Sequence, residues 1–164
     1  MTVEKYDSGK TRELADVYGV GNCLRKYRDV ATANSGKCPL TIEADVIDSD
    51  SAKIVQKMQG KSVDAVFVTE MGRIVFAEMK MGVKSKEQCE PLSEEIRKKI
   101  NTSVNFFSGK GTFTKFEYSY VLLSNDGNKF NQLVSRLRKF FSVGRDSRKI
   151  EIVKEAEFEK IFFD

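Results

Sequence analysis

The stretch KSVDAVFVTEMGRIVFAEMKMG, residues 61–82, reads as two apolar runs around a glycine, and it carries Asp64, Glu78 and Lys80 inside them. Gly72 falls where a hairpin needs a left-handed residue, so Thr69 to Arg73 form the loop. If Val68 then pairs with Ile74, Val66 faces Phe76 and Asp64 faces Glu78. Side chains alternate along a strand, which puts Asp64, Val66, Val68, Ile74, Phe76, Glu78 and Lys80 on one face. Val63, Ala65, Phe67, Val75, Ala77 and Met79 take the other. Both faces are apolar, as in a central strand pair covered on both sides. The charges therefore gather at one end of a pair built for burial. Cross-strand Cβ atoms lie about 4.5–5.5 Å apart, so two carboxylates placed there repel. Either one acid gains a proton or a cation sits between them.

The rest of the chain bounds what that cation could do. With 164 residues, 40% hydrophobic and 32% charged, the sequence suits one globular domain over 1–164. No apolar run is long enough for a membrane span. The charged start, MTVEKYDSGKTREL, lacks the apolar core of a secretion signal. Three scattered cysteines, Cys23, Cys38 and Cys89, form no CxxC pair and suggest free thiols. A cytoplasmic protein is expected. There is no histidine, which excludes Ser-His-Asp and Cys-His catalysis and the usual zinc sites. Any catalytic metal must take oxygen ligands, and those select Mg²⁺ or Mn²⁺.

Along the chain, residues 11–32 have helical spacing that Gly19 and Gly21 interrupt. The stretch 33–39 reads as a loop. Residues 40–47 suit a strand or a helix capped by Thr41, and 51–59 a helix that stops at Gly60. A helix capped at Ser93 carries an apolar stripe of Ile96, Ile100, Val104 and Phe107. A strand over 115–123, a turn at 124–128 and an amphipathic helix with Phe130, Leu133, Leu137 and Phe140 on one face follow. The final residues supply a strand and a short tail. Strands mixed with helices predict an α/β or α+β sandwich around a mixed sheet.

An Asp in one strand of a hairpin, then Glu-x-Lys late in the next, resembles the PD-(D/E)xK nuclease superfamily. The matching residues are Asp64, Glu78 and Lys80, with Met79 as the middle residue. Val63 stands where the family often has Pro. The likeness covers about 20 residues and extends loosely to residue 123. It implies a restriction-endonuclease-like three-layer sandwich, a central mixed sheet flanked by helices. It also implies a nuclease, an endonuclease in the first instance, that hydrolyses phosphodiester bonds of DNA rather than RNA. Asp64, Glu78 and the Met79 carbonyl would hold Mg²⁺ (or Mn²⁺), and Lys80 would orient or deprotonate the attacking water. A homodimer that cuts both strands is expected by analogy with such families.

Other readings stay open. Asp64, Glu78 and Lys80 could be a salt-bridge cluster holding strand ends. The fold could persist as an inactive module that binds nucleic acid or a protein, or the chain could be a small α/β interaction protein. The family usually adds an upstream acid, for which Glu43 is the first choice, ahead of Glu13 and Asp45. Gln88 is a candidate substrate contact. Three basic clusters occur: Arg25 to Arg28, Arg97 to Lys99, and Arg136 to Lys149. Of these, Arg97, Lys98, Lys99, Arg136, Arg138 and Lys139 are the expected phosphate contacts. Phe106, Phe107 and Tyr118 could stack on bases, but their spacing favours core positions.

Overall fold

The computed structural model describes residues 4–35, 43–57, 60–80, 85–123, 128–142 and 149–163. Cys38, residues 36–39 of the expected loop, the Thr41 cap, residues 124–127 of the expected turn and the basic residues Arg145 and Arg148 lie outside them, while residues 33–35 of that loop are helical.

The hairpin forms in the expected register. Strands β3 (Ala65–Val68) and β4 (Arg73–Lys80) pair Val68 with Ile74 and Val66 with Phe76. Gly72, at φ 75°, donates its N–H to the Thr69 carbonyl and closes a three-residue loop. On the β3 side, β2 (Asp45–Asp48) and then β1 (Leu24–Lys26) extend the sheet antiparallel. On the other side, β4 pairs parallel with β5 (Thr114–Lys115) and β6 (Tyr118–Leu123), and β7 (Lys149–Lys154) follows β6 in parallel.

Six helices complete the described fold: α1 (Ser8–Val17), α2 (Tyr27–Ser35), α3 (Ser49–Gln56), α4 (Cys89–Phe106), α5 (Asn128–Ser142) and α6 (Glu155–Phe162). Each sheet face has its own core. Val66, Val68, Ile74 and Phe76 pack with Leu14 of α1, Ile96 and Ile100 of α4, and Leu137 of α5. Ala65, Phe67, Val75 and Met79 pack with Tyr27 of α2 and Phe158 and Phe162 of α6. The architecture is α/β, with a mixed sheet between helices, compatible with a three-layer sandwich.

Local differences from the sequence reading have physical reasons. Val63 joins the first core because β3 begins only at Ala65, so the strand alternation does not reach it. The segment interrupted by Gly19 and Gly21 contains a short strand, β1, between its helices. Helix α3 ends on Lys57 in the left-handed conformation, ahead of Gly60. Helix α4 begins four residues before Ser93 because Pro91 sits in its first turn, where its missing N–H would be unbonded anyway. The expected tail is α6, whose Phe158 and Phe162 fill the second core.

Candidate active site

The topology brings one set of strand ends together. β4, β6 and β7 run parallel and finish at the same sheet edge, where Lys80 pairs with Leu123 and Leu123 with Lys154. Antiparallel β3 starts at that edge and β2 ends there, so Asp64 and Asp48 arrive beside Glu78. Carboxyl ends of parallel strands are where α/β sheets commonly place ligands.

Asp64 lies one residue ahead of β3, and its N–H bonds the Ala77 carbonyl at 3.1 Å. The ladder skews at this point. In place of a direct pairing with Glu78, the Asp64 side chain turns to the buried backbone of β4, where Oδ2 accepts the Met79 N–H at 2.7 Å. Along an antiparallel pair a residue's N–H and C=O point the same way, so the Met79 carbonyl also faces Asp64. The Met79 side chain points into the second core.

Glu78 is fully buried on the α4 side of the sheet. Neither of its carboxylate oxygens meets hydrogen-bond geometry with a described partner. Charge compensates in part: Lys99 Nζ on α4 lies 2.7 Å from Oε2, and Lys80 Nζ lies 3.9 Å away. Burial, followed by the Asp64 carboxyl, pushes the Glu78 pKa from its ordinary 4.5 to about 9. Burial works against the charge on Lys99, yet contact with Glu78, then Asp64 and Glu95, carries its pKa above the usual lysine range.

Glu95 stands one turn before Lys99 at the mouth. Its Oε1 is 3.4 Å from Lys99, 3.6 Å from Lys80 and 3.9 Å from Lys61. Partial burial opposes ionisation, but these three lysines hold its pKa below the ordinary carboxylate range. A groove of about 990 Å³ opens from Lys61 and Glu95 along the outer side of α4, past Lys98 and Asn101 to Phe106.

A third acid reaches this neighbourhood from an unexpected place. Asp50, in the first turn of α3, has a raised pKa, from burial first and then from the nearby Asp64 and Asp48 carboxylates. Asp48 caps α3 through the Ser51 N–H, and Ser49 N–H bonds the Asp64 carbonyl at 3.3 Å. The signal was IDSDS: an acid capping a helix straight after a strand.

Glu43, expected as the upstream ligand, is not brought to the site. It precedes β2 at the opposite sheet edge, five residues or about 16 Å of extended chain from Asp48. There it pairs with Arg28 at 2.8 Å and Lys26 at 3.6 Å. Asp45 pairs with Lys26 and Arg12 at the same remote edge, and Glu13 is exposed on α1. The Gln88 side chain accepts the Ser85 N–H in a capping box, so its carbonyl serves the helix start.

The basic residues divide. Arg97 is structural: it donates to the Phe140 carbonyl at 2.6 Å and covers the Phe141 ring, which ties α4 to α5. Arg138 pairs with Glu151 at 3.2 Å. Lys26 and Arg28 are neutralised by the acids just named. Lys99 belongs to the carboxylate pair, and Lys98 is exposed on the groove. Arg136 and Lys139 line a second, smaller groove on α5. Phe106 and Phe107 pack on Tyr18, and Lys149 covers the Tyr118 ring.

The donor set suits a hard cation. Two buried carboxylates and a carbonyl are oxygen ligands, although Lys99 Nζ, 2.7 Å from Glu78 Oε2, already supplies one positive charge there. Among the described residues no group of three or more acidic or cysteine side chains is arranged as metal ligands. Mg²⁺ asks for less, because it binds through one or two carboxylates and keeps several waters. No family model, curated protein or solved structure matches the chain. No helix among the described residues is long and apolar enough to cross a membrane.

Proposed function

We propose that this chain is a Mg²⁺-dependent nuclease with a restriction-endonuclease-like fold that hydrolyses phosphodiester bonds, in DNA rather than RNA. The observation that carries the reading is the convergence of Asp64 and Glu78, both buried, at the strand ends beside Lys80. Asp64, Glu78 and the Met79 carbonyl would hold Mg²⁺ or Mn²⁺. The ion, when bound, polarises the scissile phosphate and lowers the pKa of the attacking water. Lys99 fixes the Glu78 carboxylate from the helix side. Lys80, less tightly held and nearer the mouth, orients the water and stabilises negative charge as it develops. Lys98 and Lys61 at the groove provide sequence-independent phosphate contacts.

The test incubates the protein with labelled linear, circular, single-stranded and branched substrates in Mg²⁺ or Mn²⁺. Cleavage that disappears with Lys80→Ala, while Mn²⁺ binding persists, supports the reading. Unchanged cleavage by that variant removes Lys80 from it.

The Lys99–Glu78 ion pair favours a second reading: an inactive module, binding nucleic acid or a protein, in which Lys99 permanently replaces the metal. Mn²⁺ titration separates the two. The enzyme binds Mn²⁺ and loses it with Asp64→Ala, whereas the module binds none.

A further inference from the structure

The Glu95 carboxylate makes an unusual set of contacts for a surface side chain. Three ammonium groups, from the loop before β3 (Lys61), the end of β4 (Lys80) and α4 (Lys99), approach the same oxygen, Oε1, within 3.9 Å. Stability accounts for this only in part. The pair with Lys61, which is 69% exposed, contributes little, and Glu95 itself keeps 37% of its side-chain surface in water. The buried stripe of α4 is built from Ile96, Ile100 and Val104 without it. What three converging ammoniums provide is a seat for an anionic oxygen, and phosphate oxygens fit it as a carboxylate oxygen does. The seat borders the groove that leads away along α4, where Lys98 is exposed.

We propose that Lys61, Lys80 and Lys99 form a cradle for a backbone phosphate of a nucleic-acid strand lying in this groove, and that Glu95 occupies the cradle as an internal competitor in the free protein. The proposal rests on the nucleic-acid reading above and specifies how the strand enters. On binding, Glu95 swings toward the groove mouth and a phosphodiester takes its lysines. Every bond involved is non-covalent.

The sign of one substitution decides the matter. Binding of a short fluorescent single strand is followed by anisotropy in EDTA, so that metal binding and cleavage do not enter. Glu95→Gln removes the competing charge and should tighten binding about three- to tenfold. It should also steepen the dependence of log affinity on log salt by about one unit. If Glu95 merely props the lysines in place, Glu95→Gln weakens binding or leaves it unchanged, and either result overturns the proposal. Lys61→Gln, at a largely exposed position that folding does not need, should weaken binding severalfold; no change there also overturns it. Inorganic phosphate should displace the strand only at far higher concentration, and displacement at equal concentration would reassign the cradle to free phosphate. The two readings fail separately. Absent Mn²⁺ binding and cleavage sink the nuclease while the Glu95→Gln shift stays readable. An absent shift in a cleaving enzyme sinks the cradle alone.

Discussion

Lys99 Nζ stands 2.7 Å from Glu78 Oε2, closer than Lys80, which shares a strand with Glu78 and is 3.9 Å away. The helix therefore supplies the main counter-charge for the buried acid, and the strand lysine is left to face the mouth. The two lysines have different work, and substitution separates them.

Lys99→Met removes the compensation from a buried carboxyl and should destabilise the fold by about 2–4 kcal/mol. Lys80→Ala, at the edge, should cost under about 1 kcal/mol yet reduce cleavage at least about a hundredfold. Urea denaturation and a cleavage assay on both variants check the division; equal stability losses would refute it.

Glu78 makes stability depend on pH in a defined direction. Its folded pKa of about 9 lies above the ordinary 4.5, so between these values the folded state binds the proton that the unfolded state has released. The Glu78 contribution to stability is complete below about pH 4.5, falls as pH rises through that window, and is lowest above pH 9. Glu78→Gln cannot ionise, so its stability relative to wild type should improve as pH rises from 5 to 8, while cleavage is lost. Unfolding curves at pH 5 and pH 8 measure the difference, which must shift in the variant's favour with pH.

The upstream acid is tested by contrast. Asp50→Asn, beside Asp64, should lower Mn²⁺ affinity about tenfold. Glu43→Gln, at the far sheet edge, should leave it unchanged. Isothermal titration of both variants decides, and the reverse pattern would restore Glu43.

Arg97→Ala breaks the bond to the Phe140 carbonyl and should cost about 1–3 kcal/mol of stability with no change in strand affinity. Lys98→Ala should do the opposite, weakening binding more steeply at low salt and leaving the melting temperature in place. A single anisotropy and thermal-melt comparison covers both.

The hairpin was legible because three local signals agreed: Gly72 at a left-handed turn, β-branched residues on both sides, and a two-residue period that fixed which side chains share a face. The register placed Asp64, Glu78 and Lys80 at one end of the pair, but the direct Asp64–Glu78 pairing it implied does not form, because Asp64 bonds the Ala77 carbonyl and the Met79 N–H instead. The structure adds what period cannot carry. Lys99 read as a phosphate contact on an amphipathic helix, and only the docking of α4 on the Glu78 face turns it toward that carboxylate. Asp50 was hidden in a junction whose strand–helix boundary the sequence left open, and Glu43 depended on a helix from Thr41, where the strand β2 over Asp45–Asp48 leaves it at the far sheet edge. Arg97 shows the opposite limit, since a basic triplet reveals nothing about which member faces a neighbouring helix carbonyl.

Strand β4 is the seam of the sheet, antiparallel to β3 on one side and parallel to β5 and β6 on the other. Its amide hydrogens should be among those that exchange only when the whole domain opens. The acid of Glu78 is thus anchored to the last part of the molecule to come apart. Heating should offer no interval in which the shape survives and the carboxylates have dispersed, and loss of secondary structure and separation of Asp64 from Glu78 should follow a single melting curve.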